Sequence, residues 1–318
     1  MSLTQSENSL VCPQWLLNVL RKHRDAYEPE YDGHLTDHFP MMLLAMHGLG
    51  TGRRIIESNS ASYVRRLDRA PSHPHNTITR FDEGIGKRAA YRGLISFLDE
   101  SIARRGVAET LAEYLPKVLS GWVRHAFHGT IRLAYGIRFD VESEIAAGLA
   151  YLATAGTDER LENVARNATL ADRFVWPPPI DVVTDRFDDR YEEVMLADTF
   201  AVHTHIIEDN KVSVAEAALD IFNHTRGFFA LHMVTGTHAF DICTKAIEIE
   251  ADGMMNAGLA AAYLTIGAPM FVPDAKPKPL RMDFAHDVKI AFSCSDQARR
   301  LNSEAYQQAF NVYGRKFS

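Results

Sequence analysis

The chain has 318 residues, 46% of them hydrophobic and 24% charged, enough to bury a large core and incompatible with wholesale disorder. Its formal net charge of -7 argues against nucleic acid or an anionic membrane surface as the main partner. Cys12, Cys243 and Cys294 are widely spaced, which excludes a disulfide framework and a thiolate metal site and suits a reducing, cytoplasmic setting.

The first dozen residues are polar, lack the pattern of a secretion signal and are expected to be poorly ordered. Pro13 then opens a helix whose apolar face is Trp15, Leu16, Val19 and Leu20. Pro40 can start a second, with Met42, Leu43, Met46 and Leu49, and Gly48 and Gly50 can stop it. Helical periodicity recurs at about 54–67, 87–104, 107–137, 142–154, 158–168, 213–225, 226–247, 249–266, 283–298 and 302–314. Strand candidates are limited to Val182-Val183-Thr184 and Phe200 to Ile207. Loops fall at Pro71 to Asn76, Trp176 to Ile180 and Gly267 to Pro279, and none resembles a flexible linker. The most apolar stretch, Ala257 to Val272, is broken by Gly267 and Pro269 and is too short to span a bilayer. The expected architecture is all-α: one large multi-helix domain over residues 1–318, with irregular loops. Arg65-Arg66 and Arg104-Arg105 read as solvated helix faces.

Several common motifs fail. Gly48-Leu49-Gly50-Thr51-Gly52 follows a helix instead of a strand, so it is no dinucleotide fingerprint. Gly84-Ile85-Gly86-Lys87 lacks the upstream glycine of a phosphate-binding loop, and Arg88 stands where a hydroxyl would hold magnesium. Helix ends explain both clusters better. His34-Leu35-Thr36-Asp37-His38 lacks the glutamate of a zinc-protease helix. No histidine has the Glu three residues earlier that a ferritin-like di-iron site needs, and no Gly-x-Ser-x-Gly elbow occurs.

The 14 histidines are the feature that calls for chemistry. His34 and His38 are four apart, but Pro40 disfavours helix before it, placing His38 at a helix N-terminus where the dipole disfavours protonation. A neutral imidazole is the metal-binding form. His128, Arg132 and Tyr135 share one helical stripe, with His125 one turn earlier. His232 and His238 lie inside the apolar run Phe228 to Ile242, and Asp283, His286 and Lys289 share a face at three-residue steps. A lone histidine on an apolar face is usually a hydrogen-bonded core residue, and Lys289 alone would read as surface. Four histidines on four apolar helices favour a shared metal site over four separate core contacts. His73 and His75 read as loop, His23 and His47 as helix surface or end, and His203 and His205 as an alternating pair outside the site.

His34-Leu35-Thr36-Asp37-His38-Phe39-Pro40-Met41 leading to Gly48-Leu49-Gly50 is similar to the opening motif of questin oxidase-like proteins. Ala126-Phe127-His128-Gly129-Thr130-Ile131-Arg132, His232-Met233-Val234-Thr235 and His286-Asp287-Val288-Lys289 follow in the family's order, from about residue 30 to 310. The resemblance implies an all-helical fold without a flavin-binding domain. It also implies oxidation of aromatic polyketides such as anthraquinones, by ring cleavage or Baeyer–Villiger-like oxygen insertion. The metal ligands it implies are His38, His128, His232 and His286 with Lys289 beside them, and His34 and His238 as alternates.

An oxidation without flavin needs a redox metal to activate dioxygen, which selects Fe(II) over zinc for such a site. A protonated Lys289 would repel a cation, so it can join only as a neutral amine or after carboxylation. Tyr135 and Arg132 are the candidates to steer protons or a substrate oxyanion. Phe127, Phe228, Phe229 and Trp122 are candidates for an aromatic pocket wall. The rival readings are a zinc-type metal-dependent hydrolase and a non-enzymatic helical protein with a structural histidine cluster. Substrate identity, a requirement for NADPH as co-substrate and oligomeric state stay open.

Overall fold

The computed structural model describes residues 10–71, 77–172, 174–207, 211–279 and 282–317, so His73 and His75 lie outside the described residues. Fifteen α-helices carry these residues. They are α1 (Gln14–Ala26), α2 (Phe39–Gly48), α3 (Arg53–Tyr63), α4 (Tyr91–Arg105), α5 (Val107–Tyr114), α6 (His128–Arg138), α7 (Glu142–Ala155) and α8 (Glu159–Asn167). Then follow α9 (Phe187–Leu196), α10 (Asp198–His203), α11 (Lys211–Thr225), α12 (Phe228–Ala246), α13 (Asp252–Thr265), α14 (Phe284–Arg300) and α15 (Glu304–Tyr313). Strands among the described residues are two-residue pairs: β1 (Glu30–Tyr31) antiparallel to β2 (Leu35–Thr36), and β3 (Thr169–Leu170) parallel to β4 (His205–Ile206). The all-α expectation holds, and no described helix is long and apolar enough to cross a membrane.

Helix ends follow local chemistry. Pro40 sits in the first turn of α2, where its missing N–H costs nothing. Asp283 caps α14 by accepting the N–H groups of Ala285 and His286, Asp158 caps α8 through Leu161, and Ser303 caps α15 through Tyr306. Gly50, at φ +80°, ends α2.

Four helices make a closed ring of contacts: α2 packs on α6, α6 on α12, α12 on α14, and α14 back on α2. The most extensive helix packing in this region joins α6 to its neighbour α7. Gly148 permits it, since a Cβ there would lie 2.3 Å from the backbone nitrogen of Leu133.

The sequence predicts one helix over 107–137, and the chain breaks it. His125, Ala126 and Phe127 all have positive φ (52°, 50° and 68°), a run that non-glycine residues rarely adopt. Tertiary contacts impose it. The His125 N–H donates to Asp188 at 2.8 Å, and the Phe127 ring seats where a Cβ on Gly236 would approach it to 2.5 Å. His125 therefore leaves the stripe of His128, Arg132 and Tyr135. Two other expectations also fail. Helix α10 takes residues 198–203 from the expected strand Phe200 to Ile207, leaving only His205–Ile206 paired, and residues 182–184 form no strand. Burial of Phe200 and pairing of β4 with β3 override a partial alternation.

Gly148→Ala should force α6 and α7 apart. Overpacking against rigid backbone predicts a loss of roughly 3 kcal/mol in urea denaturation, and an unchanged midpoint would contradict the close approach.

Candidate metal centre

Each helix of the ring begins with a histidine at or near its N-terminus. His38 is the N-cap of α2, His128 the first residue of α6, His232 lies in the second turn of α12 and His286 in the first turn of α14. All four are buried. His38 is braced from both sides, because its N–H donates to the Tyr63 hydroxyl at 2.8 Å and Asp37 accepts the next N–H, from Phe39, at 2.9 Å. Asp37 in turn receives His23 Nε2 at 2.6 Å, with the His23 ring stacked on Phe39 at 3.9 Å between centroids. His23 was expected on a helix surface; it is buried because Asp37 gives it a partner there.

The Nδ1 atoms fix the tautomers. His128 Nδ1 meets the His125 carbonyl at 2.6 Å, and His232 Nδ1 meets the Phe228 carbonyl at 2.9 Å. A carbonyl only accepts, so each Nδ1 carries the proton and each Nε2 a bare lone pair. His286 Nδ1 likewise faces Asp283 Oδ2 at 2.5 Å. The Nε2 atoms of His232 and His286 are buried without a hydrogen-bond partner, while His128 Nε2 lies 3.0 Å from His38 Nε2. Ring nitrogens of His38, His128 and His232 fall within 4.8 Å of one another and could hold a metal ion. His286 is outside that set, but its ring is 4.6 Å from that of His38 and 5.1 Å from that of His232, centroid to centroid.

Burial drives the electrostatics. It pushes His38, His128 and His232 well below the usual imidazole value, and the nearby Lys289 charge adds to the effect in each. His286 falls to about 4 through burial and Lys289, although Asp283 opposes the shift. Lys289 is fully buried, contrary to the surface reading of a lone lysine, and its Nζ has no hydrogen-bond partner. Burial lowers it to about 7, so a neutral amine is accessible near physiological pH.

An open cavity of about 580 Å³ reaches this cluster, and His38, His128 and His286 line it together with Phe187, Phe228 and Phe229. Of the expected aromatic wall, Phe228 and Phe229 take part, whereas Phe127 and Trp122 are fully buried core outside the lining. His34 is exposed in the β1–β2 turn at the cavity rim, not on a helix face shared with His38. His238 is committed elsewhere: Nδ1 meets Ser293 at 3.1 Å and Nε2 meets Asp296 at 2.9 Å. Arg132 pairs with Glu144 at 2.8 Å and donates to the Tyr91 hydroxyl at 3.1 Å, and Tyr135 packs on Phe292. Neither Arg132 nor Tyr135 is among the described residues lining the cavity. Arg66, expected in solvent, does line it, lying over the Tyr63 ring at 4.1 Å. Sequence reasoning missed the contributions of Glu30, His125 and Tyr151 to the lining. Only the position of Glu30 just ahead of the first histidine motif could have pointed to one of them.

A family model described as questin oxidase-like matches residues 35–227, which include His38 and His128 and stop just short of α12. Among curated proteins, none matches the chain.

The neutral histidines make an acid-sensitivity prediction. Unfolded histidines take up protons near pH 6.5, whereas these four stay neutral when folded and metal-free. The unfolded state therefore binds more protons as pH falls, so the contribution of these four histidines is present above pH 6.5 and lost below it. The loss from buried Lys289, lowered to about 7, falls at higher pH. Between about pH 6 and 5 the loss should approach 1 kcal/mol or more per histidine. Urea denaturation of metal-free protein at pH 7.5, 6.5 and 5.5 measures it; a flat profile would contradict the buried neutral cluster.

Proposed function

Because the chain belongs to the questin oxidase-like family, we propose that it is a metal-dependent oxidoreductase. In this reading it uses non-haem iron and dioxygen on an aromatic polyketide-type substrate. The observation that carries the metal is the grouping of His38, His128 and His232 ring nitrogens within 4.8 Å of one another, with the Nδ1 atoms of His128 and His232 held by the His125 and Phe228 carbonyls. Metal-bound histidines are oriented by such outer partners, and unpartnered buried nitrogens are otherwise costly. An all-nitrogen donor set without thiolate suits iron, zinc, copper or nickel, and activation of dioxygen without flavin calls for a redox metal, which selects iron over zinc.

His38, His128, His232 and His286 would hold the ion, with Lys289 joining as a neutral amine or as a carboxylate after reaction with carbon dioxide. Bound iron would supply dioxygen activation, the chemistry that a flavin-free oxidation requires. The protein's own residues do the rest. Asp37, Tyr63 and Asp283 hold the ligand helices and rings in place, while Phe187, Phe228 and Phe229 offer aromatic faces to a planar ring. The four imidazoles are neutral and sit at helix starts, where the backbone dipole is positive. A dication there gains from one anionic ligand, which a phenolic or enolic substrate provides on losing its proton. The outcome would be cleavage of a carbon–carbon bond or insertion of oxygen beside a carbonyl.

Protein purified without a tag should contain about one iron per chain by elemental analysis, and it should consume oxygen with a hydroxyanthraquinone panel. His128→Ala should lose both metal and oxygen uptake. Stoichiometric zinc with no oxygen uptake would instead favour the hydrolase reading. A wild-type protein and His128→Ala variant equally free of metal, differing only in stability, would leave a structural cluster.

A further inference from the structure

One cation at the mouth of the cavity has no anion to pair with. Arg66 lies in the single turn that follows α3, Val64–Arg66, and lines the cavity. Its guanidinium carbon stands 4.1 Å from the ring centre of Tyr63 and 5.7 Å from that of Tyr31. Two rings therefore fix the direction of a long side chain that would otherwise sweep through solvent. Tyr63 is itself fixed, since its hydroxyl accepts the His38 N–H at 2.8 Å. Among the described residues no carboxylate forms an ion pair with Arg66. Asp283, whose charge reaches it, is occupied by His286 Nδ1 and by the first N–H groups of α14. Arg88, on the same lining, differs in being paired with Glu30.

A guanidinium donates through a planar fork and a carboxylate accepts through one, so the two match edge to edge. Stacking on an aromatic ring occupies the face of a guanidinium and leaves its edge N–H groups open. Asp185, Asp188 and Asp283 also line the cavity, so a singly charged group suits it better than a phosphate carrying nearly two charges. Phe228 offers the ring face; it is 46% exposed although it packs on His232 and His286. Arg66 is near enough to that cluster for its charge to act on His286. We propose that Arg66 is the anion-binding end of this cavity and that the aromatic ligand it takes carries a carboxylate. The proposal rests on the oxidase reading for the aromatic part alone. A net charge of -7 repels anions at long range, so a preference for a carboxylate has to come from a local cation.

The test is calorimetric titration of the full chain, metal-loaded and metal-stripped, with anthraquinone-2-carboxylate and with the neutral anthraquinone-2-carboxamide. The two compounds share rings and shape and differ in charge. In both forms wild type should bind the carboxylate at least about tenfold more tightly, the return of one charge-assisted contact. Arg66→Gln should cut that preference to about threefold or less while binding the carboxamide as wild type does, and Arg66→Lys should retain part of it. Arg186→Gln should keep the preference, because no described ring holds Arg186 although it lines the same cavity. A preference that vanishes with the metal belongs to the metal, and one that survives Arg66→Gln belongs to another cation; either result overturns the assignment. Loss of affinity for both compounds in Arg66→Gln would assign the side chain to the fold and overturn its role in recognition. Equal binding of the two compounds by wild type would also overturn it, while leaving an aromatic ligand and the oxygen-uptake test of the oxidase reading in place. Failure of wild type to bind either compound would contradict both this inference and an aromatic substrate.

Discussion

Three imidazoles, those of His128, His232 and His286, give their Nδ1 protons to oxygen acceptors, and the geometry of the site depends on that arrangement. Each acceptor is local: a carbonyl three or four residues earlier in the chain, or the carboxylate that caps the same helix. The bond fixes both the tautomer and the ring plane, and leaves Nε2 of His232 and His286 buried without a hydrogen-bond partner. Packing alone would not keep them there, because buried nitrogens without partners and an unpaired lysine are each unfavourable. A cation at their centre would turn the same arrangement into a favourable one.

The surrounding fold can be understood as the means of bringing four helix starts together. The ring formed by α2, α6, α12 and α14 sets the directions from which the imidazoles arrive. Its accuracy depends on contacts some distance from the site, including the close approach of α6 to α7 at Gly148 and the seat of Phe127 against Gly236. That second contact also enforces the left-handed turn at residues 125–127, which gives the His125 carbonyl to His128 and its ring to the cavity. One local irregularity thereby shapes both the histidine cluster and the cavity wall.

Much of this was legible in the residues. Pro40 placed His38 at a helix start, and three-residue spacing placed Asp283 beside His286, because both depend on neighbours in sequence. The break at 125–127 was not legible. His-Ala-Phe contains no glycine or proline, and the force that bends it comes from Asp188 and α12, far along the chain. The same reason hid the partners of His23 and His238, whose carboxylates lie 14 and 58 residues away. Arg132 shares a stripe with His128 as periodicity predicts, yet its partner Glu144 comes from α7, which periodicity within one helix does not reveal.

The central claim is that one metal ion sits among four Nε2 atoms. A crystal of the untagged protein, with anomalous data collected on both sides of the iron absorption edge, tests it most directly. The account predicts a single iron peak about 2 Å from Nε2 of His38, His128, His232 and His286, the ordinary metal–imidazole distance. Imidazoles bridged only by water or by one another, with no anomalous peak, would contradict it.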